Sequence, residues 1–279
     1  MMSDGLQKSA NHFEERSGKH QGILDPINAA RQFQLNRYLP SVSLASLVEH
    51  HWVIRWDLRD QPPYVSQVLP YPSVNVAFSA ERGWITGVTT GMYEYEVSDS
   101  GVIVGTMFKP GGFRAFWPHS VATLTDKTLD ATEGFPDAND GFRQKLLGLH
   151  DNEQMVSQME ELLSAKQPVP DRNVAFINTI IEAVAADRDL RTVEMVAGQF
   201  HVSGRTLQHL FQNYVGVGLK WVIRRYRLIE AAELAAQLPK PNWAAIAAEL
   251  GYTDQSHFVN DFKKIVGKPP SQYTQSIHS

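Results

Sequence analysis

The sequence predicts an α+β chain: an N-terminal antiparallel β-barrel or sandwich domain with trailing helices, then an all-α domain of two helix-turn-helix units joined by a long helix. Three observations predict it. Short β-rich runs separated by turn residues fill the first half, and helical periodicity takes over beyond Thr125. The stretch Phe200 to Gly216, FHVSGRTLQHLFQNYVG, is echoed about fifty positions later by Leu250 to Gly267, LGYTDQSHFVNDFKKIVG. A length of 279 residues favours two domains.

Residues 1–24 are polar and lack the apolar centre of a signal peptide, so a disordered leader is expected there. Strand-like runs follow at Leu47 to Asp57, Tyr64 to Leu69, Val74 to Ser79, Gly83 to Val88, Tyr93 to Val97 and Val102 to Lys109. Gln61-Pro62-Pro63, Pro70-Tyr71-Pro72, Arg82-Gly83, Ser98 to Gly101 and Pro110-Gly111-Gly112 separate them. Close spacing of short strands points to a barrel or sandwich. Four of the six tryptophans, Trp52, Trp56, Trp84 and Trp117, lie here. Such aromatics either line a small-molecule pocket or fill a β core, and the second is the commoner use.

In FKPGGFRAFWPH, Phe108 to His119, the glycines suit a turn of positive φ. Two readings stand beside each other: glycine amides and Arg114 holding an anion, or a plain tight turn with Arg114 at the surface or paired. The turn is the commoner outcome. His50 and His51 are adjacent on a strand and point to opposite faces, so no metal site is expected.

Asp140 to Leu147 and Asn152 to Ala165 carry Phe142, Leu146, Met155, Met159 and Leu162 at helical spacing, as core or as a dimer seam. The prolines of KQPVPDR mark a linker at 167–173, which divides an effector or partner domain at 25–166 from a second domain at 174–279. That domain opens with a helix whose apolar face is Phe176, Ile177, Ile180, Ile181 and Val184.

The echo is kept in phase. Val193, Val196, Ala197 and Phe200 fall on Trp243, Ile246, Ala247 and Leu250, 50 positions apart; Ser203, Leu207, Phe211 and Gly216 fall on Asp254, Phe258, Phe262 and Gly267, 51 apart. One residue has entered the second turn. Each copy reads as a short helix, a tight turn, an N-cap (Ser203, Asp254) and a second helix. A helix at Gly218 to Leu238 joins them and fixes their spacing. Periodicity turns Arg205, Thr206, Gln208, His209 and Gln212 outward in the first copy, and Gln255, Ser256, His257, Asn260 and Lys263 in the second.

These residues carry a family resemblance. S-x-R-x-L-Q-x-L-F in the first copy, R-L-x-x-A-x-x-L in the connecting helix, and I-A-x-E-L-G-Y-x-D-Q-S-H-F-x-x-x-F-K from Ile246 to Lys263 resemble the AraC/XylS DNA-binding domain over about the last third of the chain. LPYPSVNVAF and FKPGGFRAF look like a poorly characterised N-terminal domain carried by some regulators of that family. The resemblance implies base contacts by Arg205, Gln208, His209, Gln255, Ser256, His257 and Asn260. His257 beside Phe258 could equally pack or cap. Arg224, Arg225, Lys263 and Lys264 are phosphate candidates, with a solvated surface charge as the alternative for each. The family often has Arg or Lys where this chain has Asn260 and Asp261, so its second recognition helix is less basic. Pro269 stands where the family commonly has Thr.

The expected function is a bacterial, sequence-specific transcription regulator bound to double-stranded DNA, and the chain is not expected to be an enzyme. The front domain senses an effector or mediates dimerisation; the alternative is a front domain with enzymatic chemistry. Some family members carry alkyl-transfer or amidotransferase-like modules, but those need a cysteine and the chain has none. RNA polymerase and a small-molecule effector are candidate partners, no cofactor is expected, and monomer and homodimer both fit. Absence of cysteine and of long apolar runs fits a cytoplasmic protein with no membrane partner. Charge divides unevenly: residues 1–171 hold 14 Lys+Arg against 21 Asp+Glu, and residues 172–279 hold 12 against 9. The positive half is the one a phosphate backbone would attract.

Overall fold

The computed structural model describes residues 26–238 and 240–277; the leader expected at 1–24 lies outside them. Helix α1 (Pro26–Gln32) precedes β1 (Gln34–Tyr38), β2 (Val48–Leu58), β3 (Tyr64–Val68), β4 (Asn75–Phe78), β5 (Gly83–Thr86), β6 (Tyr93–Val97), β7 (Asp99–Phe108) and β8 (Thr128–Asp130). Six strands form one antiparallel sheet in the order β1-β2-β7-β4-β5-β8, while β3 and β6 form a separate hairpin-like pair.

The sheet is open rather than a closed barrel. Among the described residues β1 and β8 are its edges, because the face that closure would have to bury is covered by other elements. Val53, Val76, Phe78, Ile85, Val104 and Phe108 pack against Phe113, Phe116, Trp117, Val121 and Leu124 and against two helices, α2 (Asp140–Leu147) and α3 (Asn152–Ser164). Met155 and Met159 are fully buried in this core, which settles them as core and not as a dimer seam. On the opposite face Trp52, Trp56, Trp84 and Tyr95 cluster with Ala77 and Ile103. Trp52 faces Gly105 and Trp56 faces Gly101 across the β2–β7 ladder, and a Cβ on either glycine would collide with the indole. The tryptophans are therefore sheet filling.

Ser98 to Gly101, read from sequence as a turn, is mostly strand. The chain leaves the small sheet at Val97 and enters the large one at Asp99, whose φ of 56° makes the corner. Gly111, with φ of 84°, supplies the positive-φ turn expected in PGG. Gly112 lies so close to the Leu47 carbonyl that no side chain fits, its N–H donates to Lys109 O (2.7 Å), and Arg114 donates to Trp117 O (2.7 Å). This is the tight-turn reading.

The all-α part contains α4 (Arg172–Ala186), α5 (Val193–Gln199), α6 (Gly204–Tyr214), α7 (Leu219–Ala236), α8 (Trp243–Glu249), α9 (Gln255–Val266) and α10 (Pro270–Ile277). Asp171 caps α4 by accepting from Asn173 N–H (2.8 Å), so helix begins inside the proline-marked linker. The 18 residues of α7 span roughly 27 Å at 1.5 Å each.

Candidate nucleic-acid interface

Helices α5 and α8 start 50 residues apart and α6 and α9 start 51 apart, so the two units repeat as the sequence pattern does. The corner is the same in both. His201 (φ 53°) and Gly251 (φ 82°) take the left-handed conformation at equivalent positions. Val202 N–H then reaches back to Ala197 O, and Tyr252 N–H to Ala247 O, both at 3.0 Å. This closure satisfies helix-end carbonyls that would otherwise lack partners. Tyr252 matches Val202, so the inserted residue is Thr253, just before the cap.

Both caps are in place. Ser203 Oγ accepts from Thr206 N–H (3.1 Å) and Asp254 Oδ1 from Ser256 N–H (2.7 Å). Leu207 and Phe211 of α6 pack with Ile177, Ile180, Ile181 and Val184 of α4 and with Val196. Phe258, Phe262 and Ile265 of α9 pack with Leu228 and Ala232 of α7, Ala247, and Trp243. With these faces committed inward, Arg205, Gln208 and His209 are exposed on α6, and Gln255, Ser256, His257 and Asn260 on α9. His209 Nδ1 is joined to Asn213 Nδ2 (3.0 Å), and His257 Nδ1 lies 3.8 Å from the capping carboxylate of Asp254. Exposed donors in the first turns of a second helix are the groups that reach base edges.

Residues 196–276 match a family described as a helix-turn-helix domain. Over 168 residues the chain is 27% identical to the arabinose operon regulatory protein of Escherichia coli, covering 60% of this chain and 54% of that one. The C-terminal region is an AraC-type helix-turn-helix domain. The regulatory protein PocR of Salmonella typhimurium is 32% identical over 124 residues, 43% of this chain and 39% of that one. The chain thus spans about half or less of the curated relatives it matches. ToxT of Vibrio cholerae aligns at 12% identity over 88% of this chain and 98% of that one, with a TM-score of 0.37. Residues 36–130 match a domain of unknown function.

One basic residue of the AraC-type domain does not sit as a phosphate contact requires. Arg225 is only 6% exposed. Its Nε donates to Pro70 O (2.7 Å), and its guanidinium lies over the rings of Tyr71 (5.0 Å) and Tyr226 (4.7 Å). Burial pushes its pKa below the ordinary arginine value. The helical pattern of α7 places position 225 next to the β region, which no periodicity within the helix could reveal. Arg224 is paired with Asp261 (2.9 Å), and Asp261 also accepts from Tyr252 OH (2.9 Å). Asp261 is thus a brace within the second unit. Lys263 and Lys264 remain exposed.

His51, weighed from the sequence only as a metal ligand, belongs to a hydrogen-bonded network that was missed there. His51, fully buried, shares a hydrogen bond with Thr106 Oγ1 (2.7 Å) and donates to Glu160 Oε1 (2.9 Å), which also accepts from Ser41 N–H (2.9 Å). It ties β2 and β7 to α3. Only the long-range fold brings these residues together. Among the described residues no group of three or more His, Asp or Glu could hold a metal ion, and no helix is long and apolar enough to cross a membrane.

Proposed function

We propose that the chain is a sequence-specific transcription regulator that reads two successive major-groove segments of double-stranded DNA, with α6 in one and α9 in the other. The observation that supports this most is the pair of capped second helices presenting polar side chains outward from either end of one rigid helix. Arg205 suits a guanine edge, and Gln208, Gln255 and Asn260 suit adenine, each pairing contributing about 1 to 3 kcal/mol of discrimination. Ser256, His209 and His257 complete the outward set, and Lys263 and Lys264 serve the backbone. Successive major-groove segments lie roughly 34 Å apart, one helical turn, and two motifs in one chain can address both, so the site need not be palindromic and a monomer suffices. The β region at 25–166, acting in the cytoplasm, senses an effector or a partner and conveys its state across its contacts with the helices.

The test is selection of duplexes from a random library by the full chain, followed by titration of the winner and a scrambled duplex at fixed salt. Preference of 1000-fold or more for the selected duplex is expected for a specific reader. Equal affinity for both would contradict base reading.

A further inference from the structure

The loop between β5 and β6 lies against the second helix-turn-helix unit. Met92 N–H donates to Lys264 O (2.8 Å) at the last turn of α9, and Trp221 Nε1 of α7 donates to Thr90 O (3.2 Å). Thr90 is itself held by Asp126, which accepts from its N–H (2.6 Å) and its hydroxyl (2.8 Å). The fit is close at both glycines: a Cβ on Gly91 would stand 3.0 Å from Lys264 O, and one on Gly267 would stand 2.5 Å from Met92 Cε. Thr89–Tyr93 and Asp126 on one side, and Asn260, Lys263 and Lys264 on the other, line a cleft of about 580 Å³.

Ser256, Asn260 and Lys263 follow i, i+4, i+7 along α9 and so share one face. That face is the one proposed to enter DNA, and its C-terminal half is turned toward the loop and the Asp126 carboxylate. A major groove about 12 Å wide admits one helix, not a helix with a loop alongside it. The loop is tethered by these hydrogen bonds and by Met92 against Gly267, while the apolar core of the second unit contains no residue before Trp221. A contact of this kind can open without unfolding either side.

We infer that the Thr89–Tyr93 loop is an autoinhibitory contact: docked on the end of α9, it keeps Asn260 and Lys263 from the groove, and release of the loop admits the second unit to DNA. The inference rests on the two-groove reading proposed above. An effector would act by favouring the undocked loop.

The chain has no cysteine, so Gly91→Cys with Lys264→Cys introduces the only possible disulfide, between positions already in contact, a Cβ on Gly91 standing 3.2 Å from Lys264 Cγ. Oxidised and reduced forms of this same protein are compared on a duplex selected by the wild-type chain. The oxidised form is expected to bind at least tenfold more weakly and to protect only the half of the site read by α6. Equal or tighter binding when oxidised, or failure of the pair to cross-link in free protein, overturns the inference. If the wild-type chain and the reduced form both show no preference for any duplex, the DNA-reading proposal falls and this inference with it. Thr90→Val and Asp126→Asn test the same contact from the other direction. Each should raise affinity threefold or more and strengthen protection of the second half-site; Thr90→Val does so without changing charge. Unchanged or weaker binding in both would also overturn it.

Discussion

The two helix-turn-helix units are built alike and attached differently. In the first, Val88 of the β region is part of the apolar core, and Tyr214 packs against both that core and the β core. Hydrogen bonds from Ser120 to Gln212 O (3.3 Å) and from Thr125 to Gly216 O (2.6 Å) reinforce the join. The second unit draws its core from α7 to α10 alone and meets the β region through backbone and indole hydrogen bonds, the Arg225 guanidinium on Pro70 O and Tyr71, and Met92 against Gly267. An apolar seam and a polar seam differ in what separation costs. The first must expose hydrophobic surface, while the second exchanges hydrogen bonds with water at about 1 kcal/mol each. The same local fold is therefore a fixed part at one end and a releasable part at the other.

The largest effect should come from emptying the two cores. Phe211 and Phe262 are equivalent in the repeat and both fully buried, so truncation to Ala should cost each about 3 to 5 kcal/mol. Phe211→Ala is expected to speed hydrogen exchange in the β region around Val88 as well as in α4 to α6. Phe262→Ala should speed it only from Leu228 onward. Equal spread from both sites would break the distinction.

Glu160→Ala probes the fixed side. It leaves His51 buried without its carboxylate, at a cost of roughly 3 kcal/mol, and should spare exchange in α8 and α9. Burial alone would raise the Glu160 pKa, but hydrogen bonds from His51 and Ser41 outweigh it and hold it below the ordinary 4.5. A depressed carboxyl contributes its stabilisation fully above pH 4.5 and loses it as pH falls through the lowered value. Wild type and Glu160→Ala should therefore converge in stability on acidification. A gap that persists at low pH would point to packing instead.

The smallest effect concerns charge. Lys263→Ala and Lys264→Ala should each lower the slope of log affinity against log salt by about 0.9, and Arg225→Met should leave it unchanged. A slope change at Arg225 would mean that the seam opens on DNA and frees its guanidinium.

Much of the helical region was legible in the sequence because local pattern specifies it. The 50 and 51 offsets reappear as helix starts, and both caps follow from a polar residue before an apolar period. The positive φ at His201 was not legible, since only its match to Gly251 marks the corner. Six of the eight strands were legible from β-rich runs, while the edge strands β1 and β8 were not, and neither was closure: whether a sheet closes depends on what covers its face, and that cover came from the segment after β7 and from α2 and α3. Arg225 shows the same limit at the site. Its sequence neighbours read as a basic helix face, while its surroundings are Pro70 and Tyr71, which only tertiary packing brings near.

The most direct test of the two-groove account is hydroxyl-radical footprinting of the full chain, at saturating protein, on its selected duplex, with Arg205→Ala and Asn260→Ala beside wild type. The account predicts two protected patches about one helical turn apart, Arg205→Ala weakening one and Asn260→Ala the other. A single patch, or uniform loss of the whole footprint in both variants, would contradict it.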